Sequence, residues 1–421
     1  MAAGGRLRVL GEPAYRRLFL GRTVSLIGDG ISPVALAFAV LDLTGSATDL
    51  GIVLAAHSLV MIAFLLIGGV IADRISPRLA MLGADLTRTL SMGLIAALLL
   101  AGVAQIWELA LLYAADGVAT AFFNPASTAI VPQLVPARRL QEANALLTFS
   151  RWAGKVAGPA LAGLLLALGS PGSALAVDAA TFAVSAACLW GVRAPTLRPE
   201  GAGETFLAEL RQGWREFASR SWRVAIVLSL AISNAIFPGA FQVLGPTVAD
   251  ESLGGSSAWA AIAAAWGVGG LIGGLVALNI RPRRPLLVGE GFVMLFGLPI
   301  FLLAIPAATV AIALGALVGG ATVSLAEILY DTTSAQHIPR EALSRVNAWD
   351  WLGSLALEPL GLALVGPVAA GLGLSTTLWL SAVAITLLQA AVLLVPSVRR
   401  LEAVAEEPAP SPPPRPIEVG D

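Results

Sequence analysis

The sequence predicts an all-α polytopic membrane protein of twelve transmembrane helices, arranged as two six-helix bundles related by a parallel repeat. Three observations carry this. Hydrophobic residues make up 57% of 421 positions and charged residues 13%, an apolar excess beyond what a soluble core uses. Runs without Asp, Glu, Lys or Arg cover 50–72, 224–249, 252–280, 291–326 and 359–398, and a spanning helix needs about 20 apolar residues. Finally, Gly69-Val-Ile-Ala-Asp73-Arg74-Ile-Ser-Pro-Arg78 returns 205 residues later as Gly274-Leu-Val-Ala-Leu278-Asn279-Ile-Arg-Pro-Arg283.

The elements follow in order. Arg16 and Arg17 precede a first span near 17–41, and Asp42 and Asp49 flank the turn into a charge-free second span near 50–72. Arg74 and Arg78 separate that from a third near 79–102, and Glu108 opens a fourth near 107–130. Arg138 and Arg139 lead to a fifth near 144–168 and a sixth near 173–192. The second half repeats the pattern near 223–248, 257–280, 285–305, 308–330, 346–370 and 373–396, with the two longest charge-free runs each accommodating two spans. Gly28-Asp29-Gly-Ile-Ser-Pro33 corresponds to Ser233-Asn234-Ala-Ile-Phe-Pro238, and Gln133…Pro136…Leu140…Asn144-Ala145 to Gln336…Pro339…Leu343…Asn347-Ala348. Parallel repeats of this kind hold the substrate site near the midplane between the halves.

Every Lys and Arg except Arg22, Arg88, Arg151 and Lys155 falls at the N-terminus, in or bordering a connection after an even-numbered helix, or in the tail, whereas the opposite connections hold only acids. The positive-inside rule therefore puts both termini in the cytoplasm of an inner or plasma membrane. The expected division is a bundle over 1–192, a connection over 193–222, a bundle over 223–397 and a Pro-rich disordered tail over 398–421. In the connection Phe206, Leu210, Trp214 and Phe217 recur at helical spacing, as in an amphipathic helix on the inner leaflet; a flexible linker is the alternative. Cys188 is the one cysteine, so no disulfide or cysteine metal site forms within the chain.

Ionisable residues at membrane depth are expensive and mark function. Asp29 lies halfway along helix 1 between two glycines, placed for proton or substrate contact, or else for a permanent ion pair. Arg151 and Lys155 share a face of helix 5, and the repeat pairs Lys155 with Glu358 on helix 11, as a gate or as a static pair. Asp116 and Glu327 are further candidates. Asp85 and Arg88, three apart, are expected to satisfy each other. His57 has no evident partner, and Trp152, Trp266, Trp349, Trp351 and Phe237 are candidates for stacking on a substrate.

From about residue 15 to 397 the chain resembles the major facilitator superfamily. Gly69, Asp73, Arg74 and Arg78 match that family's loop 2–3 motif, with Ser76 in place of a glycine. The resemblance implies a cytoplasmic latch; ordinary basic anchoring is the alternative. Gly154-x-x-x-Gly158-Pro159-x-x-Ala162-Gly163 resembles the helix 5 motif of proton-driven exporters. Phe123-Asn124-Pro125-Ala126 and Val177-Asp178-Ala179-Ala180-Thr181-Phe182 are similar to the macrolide-efflux-like branch, also called transmembrane secretion effectors, which includes enterobactin-exporter-like proteins. The chain departs from the drug-exporter pattern where Tyr113, not arginine, precedes Gly117 by four residues. The resemblance implies helices 1, 4, 7 and 10 lining the cavity and Asp178 on an outer helix.

The expected function is proton-driven export of a small amphipathic organic molecule by a monomer in the lipid bilayer, with no metal, cofactor or nucleic acid. A symporter of the same fold and a non-transporting receptor or scaffold are the alternatives. No phosphate-binding loop and no nucleophile–base cluster is present, which argues against ATP drive and enzymatic chemistry.

Overall fold

The computed structural model describes residues 8–72, 76–192, 206–305 and 307–403, with the backbone alone described for 66–72, 206–210 and 340–345. Among the described residues every regular element is helical. The first half holds α1 (Pro13–Thr44), α2 (Ala47–Ala72), α3 (Pro77–Leu100), α4 (Ile106–Ala129), α5 (Leu140–Leu168) and α6 (Pro171–Trp190). A linker helix (Phe206–Ala218) leads to α7 (Ser221–Leu253), α8 (Ser256–Asn279), α9 (Pro285–Ala304) and α10 (Thr309–His337). The last two are α11, made of two pieces (Arg340–Leu355 and Glu358–Leu372), and α12 (Leu374–Val392). Among the described residues eleven helices are long and apolar enough to cross a membrane. The exception is α5, which has the length of α10 but carries Glu142, Arg151 and Lys155.

Local chemistry sets the ends. Ser76 accepts the Leu79 N–H at 3.3 Å and Pro77 occupies the first position of α3, so one orphan donor is capped and the missing proline N–H costs nothing. Gly45 closes α1 at φ 64°, a left-handed geometry suited to glycine. Within α7, π-helical turns at Gly239–Val243 and Ala249–Leu253 follow Pro238 and Pro246, whose rings remove backbone donors. α10 runs seven residues past the expected boundary at 330, because its polar last turns stay hydrogen-bonded: Thr333 Oγ1 donates to the Leu329 carbonyl at 2.6 Å.

Within the first half α2 packs on α4, α1 on α5 and α6, and α3 on α4 and α6; within the second α8 packs on α10, α9 on α10 and α12, and α7 on α11. Two seams join the halves, α5 against α8 and α2 against α11. The repeat is visible at these contacts. A Cβ on Gly158 would lie 2.5 Å from the Gly30 Cα of α1, and one on its repeat partner Gly361 would overlap the Ala235 carbonyl of α7. Gly163 faces Ala260 across the first seam, and its partner Gly366 faces Thr48 across the second. Small residues at helix crossings let backbones approach.

The two ends of the molecule differ. Asp42, Asp49, Glu108 and Asp250 mark an acidic end, where one apolar core crosses both halves through Leu36, Leu50, Ala162, Leu244, Ala260 and Leu362. At the basic end the core splits. Tyr15, Met81 and Phe123 cluster in the first half, while Trp222, Leu286 and Val392, and separately Phe217, Val227 and Val346, cluster in the second. The halves therefore meet at the acidic end and part toward the basic end. The linker helix turns its aromatic side to the second half, with Trp214 centred 4.9 Å from Trp349 of α11.

Candidate functional site

Five helices of the first half bring ionisable side chains together about midway between the ends. Arg88 of α3 is the hub: its Nε donates to Asp116 Oδ1 of α4 at 3.0 Å, its Nη2 donates to Asp29 Oδ1 of α1, and its guanidinium lies 3.9 Å from the centre of the Phe182 ring. The other Asp116 oxygen meets His57 Nε2 of α2 at 3.2 Å, and that imidazole stacks on Tyr113 at 4.5 Å. Asp178 of α6 is fully buried and accepts from Ser32 Oγ. Gly28 makes room for this carboxylate, since a Cβ there would overlap Asp178 Oδ1 and Thr181 Oγ1.

Exposure grades the network. The side chains of Arg88 and Asp116 are 8% and 4% exposed, against 27% for Asp29. The chain is thus buried at Arg88 and Asp116 and more accessible at its two ends, Asp29 and His57, the latter 19% exposed. A guanidinium fork shared by two carboxylates is a strong, directional arrangement, and removing one partner of a buried pair leaves an uncompensated charge. Asp29, Asp85, Asp116 and Asp178 outnumber Arg22 and Arg88, so the cluster has more sites for protons than permanent cations to balance them.

Several expectations are corrected. Arg88 does not pair with Asp85; it reaches across to α1 and α4, where two carboxylates converge on adjacent edges of its fork. Asp85 is wholly buried without a hydrogen bond of good geometry, with Ser185 the polar group beside it. His57 does have a partner, because α2 and α4 approach so closely that a Cβ on Gly117 would overlap the His57 carbonyl. Asp178, on α6, points into the bundle beside Ser32, a side-chain direction that its helix alone does not specify.

The remaining candidates lie along the seams. Lys155 sits 4.4 Å over the Trp152 ring and faces Glu327 of α10 rather than Glu358. Glu358 begins the second piece of α11, next to Ser58 and in electrostatic reach of His57 on α2. Lys155 and Glu358 thus face different seams in this conformation. Arg151 makes no hydrogen bond or ion pair among the described residues; with Arg22, Leu18, Met81, Ser127 and Leu147 it walls a cavity of about 10 Å³, room for about one water. On α5, Gly154 and Gly158 pack on α1 beside Asp29, and Pro159 lies against Gly30. Gly69 lies in α2, whereas Asp73 and Arg74 fall outside the described residues. Arg78 donates to the Leu189 and Trp190 carbonyls at 3.0 and 2.7 Å, closing the C-terminus of α6.

One network has no counterpart in the sequence reading. At the basic end of the second half, fully buried Arg223 donates through Nε to Asp350 Oδ1 at 2.8 Å and through Nη2 to Asn347 Oδ1 at 2.7 Å, and Tyr330 donates to Asp350 at 2.9 Å. Arg223 reads in sequence as a basic flank, and nothing there signals its burial. Phe237 and Trp266 join Phe241, Trp259 and Phe296 in one ring cluster, with Phe237 and Phe296 centred 4.1 Å apart. They serve as core.

Two helical halves meeting along two seams, with a charged network at mid-height, define a membrane transporter and not an enzyme. The chain matches the model of the Major Facilitator Superfamily over residues 18–357 and belongs to that family. Among curated proteins it is 27% identical over 405 residues to the multidrug efflux pump Tap of Mycolicibacterium fortuitum, covering 90% of this chain and 95% of that one. It is 28% identical to the enterobactin exporter EntS of Escherichia coli, covering 85% and 86%, and 24% identical to macrolide efflux protein A of Streptococcus pyogenes, covering 66% and 70%. Among solved structures it resembles the nucleoside transporter NupG, with TM-score 0.72, 12% identity and coverage of 92% and 99%. A bacterial homologue of the lysosomal transporter Spinster gives 0.72, 16% identity and coverage of 95% and 98%.

Proposed function

We propose that the protein is a secondary active exporter that moves amphipathic organic molecules out of the cell in exchange for protons, by alternating access. Its place is a bacterial cell membrane, with both termini cytoplasmic. The observation that carries the proton half of this reading is the Asp29–Arg88–Asp116–His57 chain, whose middle members are buried at mid-height while Asp29 is its more accessible carboxylate. A carboxylate that can be reached by water while its partner is buried is suited to gain and lose a proton in step with a conformational change. The export direction is supported by relatives named for multidrug, macrolide and enterobactin efflux.

The basic end, which the positive-inside rule assigns to the cytoplasm, is where the halves part. In this state a substrate enters from the cytoplasm or inner leaflet between α5 and α10, whose exposed Arg151, Lys155 and Glu327 face the parting. Asp29 is then ionised and held by Arg88. After the halves rock over, a proton from outside cancels the Asp29 charge and accompanies substrate release. A chain with 57% hydrophobic and 13% charged residues suits a drug, macrolide, siderophore or other secondary metabolite better than a sugar, which would need many polar groups.

Inverted membrane vesicles test this. A proton gradient directed out of the vesicle lumen should drive accumulation of a dye such as ethidium, and Asp29→Asn should abolish it. Accumulation in right-side-out vesicles with proton co-transport would establish a symporter instead.

A further inference from the structure

The α2–α11 seam holds the acidic end closed, and its register is fixed by two glycines. A Cβ on Gly51 would overlap the Leu362 carbonyl, and one on Gly366 would overlap the Thr48 backbone. The helices run antiparallel, so pairing Thr48 with Gly366 and Gly51 with Leu362 carries on to place His57 and Ser58 opposite the start of the second piece of α11. That start is Glu358, at the break after Leu355. The break is anchored from the same half: Asn234 Nδ2 of α7 donates to the Ser354 carbonyl at 2.9 Å, and Gly361 lies against Ala235.

His57 therefore stands between two carboxylates that belong to different halves. On its own side it meets Asp116, whose other oxygen is held by Arg88, which in turn holds Asp29. Tyr113 of α4 covers one face of the imidazole and leaves its edges for polar contact. Across the seam, Glu358 is the charged group in reach. The groups facing His57 are thus Asp116 and Tyr113 from α4 and Glu358 from α11, with Arg88 of α3 and Asp29 of α1 linked through Asp116. A neutral imidazole has one N–H and can donate to one carboxylate; a protonated one has two and attracts both.

We propose that His57 is the coupling residue of the cycle: a proton on its ring ties Asp116 of the first half to Glu358 of the second and holds the acidic end shut, and loss of that proton frees the seam. The proposal rests on the proton-exchange reading and deepens it. Its sign suits export. A proton taken up while the acidic end is open favours closure there and opening toward the cytoplasm. Release of the proton to the cytoplasmic side, with substrate bound, then allows the acidic end to reopen. The two steps move one proton inward for each outward passage. His57 acts as a positioning residue between the proton site and the seam and need not touch the substrate.

The test is a distance measurement on the full chain in lipid nanodiscs, without substrate. Spin labels at Thr44 and Leu372, in a Cys188→Ser background, report opening of the acidic end between about pH 5 and about pH 8. The wild-type chain should shift from short to long distances as pH rises, with the open-to-closed ratio changing by ~10-fold, within the usual span of coupling between sites. His57→Asn and Glu358→Gln should each flatten the profile and raise the open population at low pH. His57→Lys, a lasting cation, should stay closed throughout. Glu358→Gln leaves the first-half network intact, so a misfolded His57 variant does not decide the matter. An unchanged profile in Glu358→Gln overturns the proposal. Because no transport is measured, the outcome separates from the exporter reading: uptake in the vesicle assay with a flattened His57→Asn profile removes export and keeps the clamp, while export with an unchanged profile does the reverse.

Discussion

Asp29 and Asp116 both bond Arg88, yet replacing them should have very different consequences for stability. Asp116 and Arg88 are each less than a tenth exposed, so Asp116→Asn breaks a buried pair, a change that costs ~3–5 kcal/mol. Arg88 keeps Asp29, which places the expected loss at the lower limit, ~3 kcal/mol. Asp29 is 27% exposed; water screens and replaces much of its contact, and the loss from Asp29→Asn falls to ~1 kcal/mol. For a half of this size each kcal/mol moves a melting midpoint by ~2–4 °C. Asp116→Asn should therefore lower the midpoint by ~6–12 °C and Asp29→Asn by ~2–4 °C. Thermal unfolding of the purified protein in detergent, followed by fluorescence of its 10 tryptophans at one fixed scan rate, reads both, since unfolding of such proteins is commonly irreversible. Equal midpoints, or the reverse order, would refute the assignment of Asp116 as the buried anchor and Asp29 as an accessible end.

Three further outcomes follow from contacts. Gly158→Ala puts a methyl 2.5 Å from the Gly30 Cα and should cost ~1–3 kcal/mol through overpacking of α1 on α5; a midpoint equal to wild type would count against that crossing. Gly366→Val overlaps Thr48 in the α2–α11 seam and should favour opening of the acidic end, because ~1.4 kcal/mol already changes a population ratio tenfold; labelling of a cysteine placed on the acidic half of α2 should accelerate, and an unaltered rate speaks against the seam. Arg223→Leu leaves Asp350 buried beside Tyr330 and should lower stability by ~3–5 kcal/mol while leaving the pH dependence of transport in place; a shifted pH profile would show that this network takes part in coupling.

Where sequence reasoning succeeded and failed has a physical pattern. Helix positions and the repeat were legible because burial in lipid writes itself as long charge-free runs and small-residue spacing, as at Gly158 and Gly361. Asp29 and Asp116 stood out because a carboxylate at membrane depth is expensive. Their partners did not. The i,i+3 rule pointed Arg88 at Asp85 within one helix, but the choice is made by the crossing of α3 with α1 and α4, which puts two carboxylates on the same guanidinium. Repeat symmetry likewise suggested Lys155 against Glu358, although positions equivalent by symmetry lie on opposite seams, since α5 meets α8 while α11 meets α2. His57 shows no evident partner in the sequence, because Asp116 and Glu358, the carboxylates near it, sit on two other helices.

That distinction between contacts within a half and contacts between halves constrains any coupling mechanism. When the halves rock against each other, each moves as a packed body, because a core at crystal-like density resists internal rearrangement. The Asp29–Arg88–Asp116 bonds all lie inside the first half, and so does every contact that Gly154 and Gly158 make to α1. A change of protonation there alters the local charge but by itself favours neither arrangement of the halves, since a ligand that interacts equally with two states shifts neither. Coupling requires a contact that exists in one arrangement and not in the other. The charged candidates among the described residues are Lys155 with Glu327, Asp42 with Asp250, and His57 with Glu358. Of these, His57 alone is bonded into the buried network. The physics of two-state coupling and the geometry of the seam thus select the same side chain.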